Sequence, residues 1–568
     1  MDRLKKILLP VFVLFVSFIN WAQTNVPTFE TSESVYMHVN ATSFVSGETL
    51  FYKIHCLNPQ DFKMSQISKV AYVELVGENA QIIFKHKLFL SEGTSQGDFF
   101  IPASIKTGTY KLLGYTRWMQ NKALSTSFES EITIINPFQS NLENKISSKN
   151  KIISDSIQHT NAEITLSIKN KKVKTRELIN LELLINNESF KKGKYSLSVR
   201  KVQDLPSISK INPVEFKSLE KDQKIELRAS NYFLPELRGE IISGRISSKN
   251  ELFPVNNITI ALSNPGRSFI TKLVKTDADG RFNFSIDQPY YNPNTTIQIV
   301  DKSKGEYQLQ LDTPFGIKKS GLIFENEQFL QSELKSILEE HAIASQIENT
   351  YYLKKADTLA KIKYSAPFYE PVIHEYILDN YNRFPTIKET IIEIVKEMNY
   401  DYKNGIYSFR LNDYDTNTNV EEPPLVLVDG LLIQDINELL EYKAADIYKI
   451  CTINTGYLYG NKLYDGLISF ITKNQTYESN YSGDFLIKSD ITIPLQTKKY
   501  YTPAYTSNSD LDRIPDYRYQ LIWIPELNTS DKNILFYTSD KTGKFEIILE
   551  GFSDEGYPVY FKDFFEVE

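Results

Sequence analysis

A chain of 568 residues is too long for one hydrophobic core, so several domains of roughly 100–150 residues are expected. Its 64 Lys and Arg against 71 Asp and Glu leave a net charge of −7, interspersed without a basic stripe, which excludes nucleic acid as a partner. The 35 Tyr and 34 Phe, with frequent Ile, Val and Thr, favour strands over helices. The chain opens on Met1-Asp2-Arg3 with Lys5 and Lys6, an apolar run over 7–18, then Trp21-Ala22-Gln23. This is the pattern of a secretory signal peptide over 1–22, so the mature protein is expected to be exported and to start near Gln23. No later stretch reaches the roughly 20 apolar residues of a membrane helix, and no transmembrane segment is expected in the mature chain. The only cysteines are Cys56 and Cys451, neither at the cleavage point; two buried thiols in separate domains are expected, without a lipid anchor or a disulfide framework.

Residues 23–137 read as a β-sandwich. Thr49-Leu50-Phe51-Tyr52-Lys53-Ile54, Val70-Ala71-Tyr72-Val73-Glu74-Leu75 and Thr109-Tyr110-Lys111-Leu112-Leu113 are strand-like, with turns expected at Ser46-Gly47, Glu92-Gly93, Gln96-Gly97 and Thr107-Gly108. A more specific order runs through Tyr36-Met37-His38, Ser46-Gly47-Glu48-Thr49, Tyr72-Val73-Glu74-Leu75, Gly97-Asp98-Phe99-Phe100-Ile101-Pro102 and Tyr115-Thr116-Arg117-Trp118-Met119. It resembles a macroglobulin-type domain, as in bacterial alpha-2-macroglobulins and envelope proteins of Gram-negative bacteria. The resemblance implies a structural sandwich. The reactive thioester of that family lies in another domain within a Gly-Cys-Gly-Glu-Gln motif, which is absent here, so covalent trapping is not implied.

A polar linker is expected over 138–155, then a second macroglobulin-like sandwich over 156–232. Its strands Ile164-Thr165-Leu166-Ser167-Ile168, Leu181-Glu182-Leu183-Leu184-Ile185 and Tyr195-Ser196-Leu197-Ser198-Val199-Arg200 alternate as half-buried strands do. Residues 233–315 carry Ile242-Ser243-Gly244-Arg245-Ile246, Ile258-Thr259-Ile260-Ala261-Leu262 and Thr276-Asp277-Ala278-Asp279-Gly280-Arg281-Phe282-Asn283-Phe284, an order that resembles the carboxypeptidase regulatory-like sandwich. Asp277-Ala278-Asp279-Gly280 could open a calcium loop, but no Glu follows at its twelfth position, and a hairpin turn is the better expectation. Residues 316–382 read as a helical connector, with Phe329, Leu330, Leu334, Ile337, Leu338 and Ile347 at helical spacing.

Over 383–474, Thr386 is a natural helix N-cap with Glu389 completing a capping box. Leu425-Val426-Leu427-Val428-Asp429-Gly430, Ile447-Tyr448-Lys449-Ile450 and Gly466-Leu467-Ile468-Ser469-Phe470-Ile471 follow. This block is similar to the plug domain of TonB-dependent outer-membrane receptors. A receptor of that family also needs a barrel of some twenty strands, and the 94 residues after Asn474 are too few, so uptake by this chain alone is not implied. Residues 475–568 are expected to form a C-terminal β-sandwich with a turn at Asp540-Lys541-Thr542-Gly543.

The fold class expected is thus mainly β: a multidomain string of immunoglobulin-like or macroglobulin-like sandwiches with a helical connector and a small α+β plug-like domain. Catalytic frames are missing. His374-Glu375 has Leu378 where a zincin needs its second histidine, and there is no zinc spacing, Gly-x-Ser-x-Gly elbow or phosphate loop. His38 and His55 could meet in space but read as ordinary strand residues, and no cofactor or metal is called for. The reading is a non-enzymatic interaction subunit of an outer-membrane protein complex for transport, export or outer-membrane assembly. Its partners would be outer-membrane β-barrel proteins, and its place the cell surface or the periplasm. The alternative is a nutrient- or glycan-binding accessory protein of a TonB-dependent transporter, although Trp118 and Trp523 read as core residues. Candidate partner contacts are the Asp429-Gly430 turn and the last strand, Phe564 to Val567.

Overall fold

The computed structural model describes residues 32–122, 127–139, 158–159, 163–202, 205, 208–221, 232–317, 319, 321–324, 334–362, 364–412, 422–460, 462–505 and 513–568. The signal segment, most of the linker, Phe329 and Leu330 lie outside these residues. The protein is mainly β, built from many small sheets.

The first sandwich packs a three-stranded sheet, ordered Ser34–Val39, Thr49–Leu57, Thr94–Phe100, on a five-stranded one, ordered Ser43–Val45, Phe128–Ile135, Gly108–Tyr115, Val70–Val76, Ile82–Phe89. Turns at Gly47 and Gly93 take positive φ, as their sequence context suggests. The turn expected at Gln96-Gly97 is instead inside the Thr94–Phe100 strand. Glycine is needed there because a Cβ at Gly97 would sit 2.2 Å from the Tyr52 hydroxyl.

The main departure from expectation concerns the second and last sandwiches. Leu178–Ile185 lies between Ile164–Ile168 and Asn533–Tyr537; Gly193–Lys201 lies between Gly543–Ser553 and Gln520–Ile524. The strands expected as two sandwiches, within 156–232 and 475–568, thus make one composite sandwich with one core, from Ile164 and Leu181 to Phe536, Ile547 and Val567. Everything between is inserted into it. The physical reason is edge satisfaction: each segment alone leaves unpaired strand edges, and each supplies what the other lacks.

In the inserted part, Arg281–Ile286, Glu240–Ser248 and Tyr307–Leu311 face a sheet ordered Ile270–Lys275, Thr259–Asn264, Asn294–Ile299, Leu486–Asp490. Leu486–Asp490, expected in the C-terminal sandwich, completes this third one. The Asp277 turn holds no hairpin, since Ile270–Lys275 and Arg281–Ile286 belong to different sheets. Its carboxylate accepts the N–H groups of Asp279 and Arg281, which consumes it as a turn cap.

The connector contains the helix Lys335–Thr350, whose Leu338, with Leu334 and Ile337, packs on Val45, Ile135 and Leu205. Its last part is not helical: His374–Ile377 is the edge strand of the next unit's sheet. That α+β unit has the order His374–Ile377, Ile447–Ile453, Leu467–Thr472, Leu425–Val428, Leu431–Leu432, with helix Ile387–Glu393 capped by the Thr386/Glu389 box. Val426 and Val428 point to the helix side; Leu425 and Leu427 point to Ala261 of the third sandwich. A sheet covered on both faces explains an apolar run where alternation would otherwise be expected.

Candidate functional site

The outer face of the first sandwich lies on the composite sandwich, and this seam gathers a dense group of buried polar side chains. Along Ser34–Val39 alternate residues do different work. Val35 and Met37 fill the inner core, while Ser34, Tyr36 and His38 face outward to Glu220, Glu550 and Ser196. Thr49–Leu57 adds Phe51 and Lys53 to that outer face, against Trp523 and Glu526, and His55 against Phe552. The composite side contributes Ser196, Ser198 and Arg200, each at most 3% exposed. Their alternation with Tyr195, Leu197 and Val199 reads in sequence as a wet face, yet the face is dry because another sheet covers it.

At the centre the Tyr36 hydroxyl donates to the Glu550 carboxylate, with His38 Nε2 3.9 Å from the other oxygen. Burial pushes the Glu550 carboxyl up to about 7, against the pull of Lys210 and the Tyr36 hydroxyl. Burial, then the neighbouring Glu550, drives Tyr36 well above the ordinary phenol range. A cavity of about 180 Å³ opens beside them, lined by Tyr36, Phe128, Glu129, Lys210 and Glu550 among others. Its mouth is crossed by residues 208–212: Lys210 Nζ donates to the Val39 carbonyl and Thr42 Oγ1 to that of Ile208.

Other seams follow the same rule. Lys87 reaches Glu240 and the Tyr290 hydroxyl, tying the first sandwich to the third. Glu48 meets Arg200 of the composite sandwich at 3.6 Å and His341 of the connector helix at 2.9 Å. Each is a paired charge spanning two bodies, which is how buried charge is tolerated. What these groups can do is orient and lock. His374, the one histidine in a His-Glu pair, is exposed on an edge strand, and Glu375 binds Lys449. Among the described residues no group of three or more His, Cys, Asp or Glu is placed to hold a metal ion, and no helix is long and apolar enough to cross a membrane. Cys56 and Cys451 are free and buried in different units.

The candidate contacts fare differently. Asp429 is buried, accepting from the N–H and hydroxyl of Thr472 and the N–H of Tyr477; burial raises its carboxyl above the usual range. Gly430 has φ +86°, and a Cβ there would lie 2.1 Å from the Phe269 ring. Its carbonyl accepts from Thr271, and that of Asp429 from the Gly266 N–H. This turn is therefore closed to an external partner: it docks the α+β unit on the third sandwich. Val567 is buried between Gly543 and Val173. Phe564 is half-buried, with Lys544 Nζ 4.1 Å above its ring, and can still be reached from outside.

Sequence reasoning missed the outward-facing residues of the α+β unit. The hairpin Met398–Lys403/Ile406–Leu411 exposes Tyr402 and Ile406, and in the hairpin Tyr457–Tyr459/Lys462–Tyr464 the exposed Leu458 and Leu463 stand directly opposite each other. The Leu458-Tyr459-Gly460-Asn461-Lys462-Leu463 sequence, with Gly460 at φ +63°, is a hairpin signal that could have found the second. Of the two tryptophans expected in the core, Trp523 is buried in the seam, whereas Trp118 is only half-buried, in a 3₁₀ turn.

No family model matches the sequence, and no curated protein matches it. Among solved structures, Escherichia coli alpha-2-macroglobulin activated by porcine elastase aligns with 94% of the chain at 7% identity, TM-score 0.22, over 43% of its own length. Salmonella alpha-2-macroglobulin reacted with methylamine aligns with 96% at 8% identity, TM-score 0.21, over 40% of its length. A Listeria innocua β-glucosidase in complex with glucose aligns with 19% at 12% identity and TM-score 0.14. The chain thus spans less than half the length of the macroglobulins it aligns with, and superposition at these scores carries nothing on function.

Proposed function

We propose that the chain is an exported, non-enzymatic interaction subunit of an outer-membrane protein complex, whose partners are integral β-barrel proteins of a receptor-type transporter or of export or assembly machinery. The observation that carries this reading is where the side chains are spent. Titratable groups at depth lock the sandwiches together, while the α+β unit turns Tyr402, Ile406, Leu458 and Leu463 outward on two hairpins. A rigid stack that presents amphipathic hairpins suits protein contact, and the resemblance of 383–474 to receptor plugs supports a barrel protein as the partner. Crosslinking in intact cells followed by affinity purification from solubilised outer membranes tests it. A β-barrel protein should be captured, and the double change Leu458→Ser/Leu463→Ser should lose it with the urea midpoint unchanged. Recovery of a lone monomer after crosslinking would count against the proposal. A glycan-binding role has one observation in its favour, the partly exposed Phe368 ring stacked 4.3 Å from Tyr459. Micromolar binding on a glycan array, lost with Phe368→Ala, would turn the reading that way.

A further inference from the structure

We propose that the seam between the first and the composite sandwich is a proton-operated latch, shut at neutral pH and released by acid, with His38 and His55 as the groups that take up the protons. The two imidazoles lie on paired strands, where Tyr36 stands opposite His55 and His38 opposite Lys53, and both face out of the first sandwich. The composite sandwich closes over them: the Trp523 ring lies 4.9 Å from His38, and the Phe552 ring 5.8 Å from His55. His38 Nδ1 shares a hydrogen bond with the Ser196 hydroxyl at 2.7 Å, but its Nε2 and both ring nitrogens of His55 have no hydrogen-bond partner among the described residues. A neutral ring is tolerated in such a wall. An imidazolium carries two donors and a charge: at His55 neither donor would find an acceptor, and at His38 only the Ser196 hydroxyl is within reach, the nearest Glu550 oxygen standing 3.9 Å from Nε2.

The charged neighbours reinforce this. Cations approach the histidines from three sides, Lys53 on their own sheet, Lys194 on Gly193–Lys201 and Lys210 in the 208–212 segment, while Lys562 on Pro558–Val567 faces Glu550. The acids and phenols are already engaged or divided: Glu526 holds Lys53, Glu546 holds Lys562, and Glu48 meets Arg200. Tyr36 is bonded to Glu550, while Tyr560 and, from helix Pro213–Lys221, Glu215 lie beyond that pair. Burial, then Lys210 and His55, holds His38 well below the usual imidazole range; burial, then Lys53 and Lys194, does the same to His55. A base whose value is depressed in the closed state binds fewer protons there than when open, so closure is lost as pH falls through about 6.5. Glu550, raised to about 7, pulls the other way over the same range. One carboxyl opposes two imidazoles, so release prevails below about pH 6.

Histidine C2–H deuterium exchange, read by mass spectrometry on the full unmodified chain between pH 4.5 and 8, tests the latch. Near pH 7.5, His38 and His55 should exchange at least about tenfold more slowly than the exposed His374; in acid both should approach the His374 rate of the same sample together, in one step of about one net proton, two taken up by the imidazoles and one released by Glu550. His86, half-buried on the edge strand Ile82–Phe89 and hydrogen-bonded to the Tyr52 hydroxyl, lies off the seam, and its rate relative to His374 should not change through that step. The latch is overturned if the two rings stay protected down to pH 4.5, if they titrate independently like free imidazole, or if His86 is released with them, which would be unfolding. In His55→Phe the uptake by His38 and the release by Glu550 nearly balance, so the step should disappear above about pH 4.5. An unchanged step in a folded His55→Phe also overturns it, and should that variant not fold, the unmodified chain decides alone.

Discussion

Replacing Glu550 by glutamine separates the buried proton from the packing around it. The amide keeps the shape and still accepts the Tyr36 hydroxyl, so the change removes mainly the titration. In the folded protein this carboxyl sits at about 7, against roughly 4.5 when unfolded. A raised acid contributes stability that is full below the unfolded value and is lost as pH rises through the folded one. Between pH 5 and 8 the loss integrates to about 2–3 kcal/mol, undiminished by solvent screening because the group is wholly buried. Glu550→Gln should therefore gain about 2–3 kcal/mol relative to the parent between pH 5 and 8, as read from urea midpoints and slopes. A difference between variant and parent that stays flat across that range would refute a proton held at Glu550.

Three further outcomes follow from named contacts. Ile179 and Phe536 stand opposite each other in the composite core, so Ile179→Ala and Phe536→Ala should each cost about 2–5 kcal/mol, with a coupling above about 0.5 kcal/mol in the double-mutant cycle. Gly430→Ala should destabilise by about 1–3 kcal/mol, because a Cβ at φ +86° meets the Phe269 ring, and Phe269→Ala in the same chain should recover part of the loss in thermal unfolding. Lys87→Met should cost about 3–5 kcal/mol by leaving Glu240 buried and unpaired, and Lys87→Met/Glu240→Gln should restore most of it in urea titration.

Much of the local structure was legible in the sequence, because local rules write it. The Thr386/Glu389 capping box, the strands around Tyr52 and Val73, and the buried Cys56 and Cys451 depend on near neighbours or on side-chain type alone. Pairing partners are another matter. The period of two in Leu178–Ile185 tells which face is apolar, but carries nothing about which strand lies beside it, here Asn533–Tyr537. The same limit hid the seam: Ser196, Ser198 and Arg200 are polar because the face receives Tyr36, His38 and Glu48, a circumstance no local window contains. The Asp429-Gly430 turn was visible as a turn; what it touches was set by Phe269 and Thr271, some 160 residues upstream.

The central structural claim is that two distant segments share one core. Amide hydrogen exchange of the full chain, followed by mass spectrometry through a urea series, tests it most directly. Leu178–Ile185 and Gly193–Lys201 should lose protection at the same urea concentration, and with the same slope, as Asn533–Tyr537 and Gly543–Ser553. Two separated midpoints, with either pair of strands opening while the other stays protected, would contradict a composite sandwich.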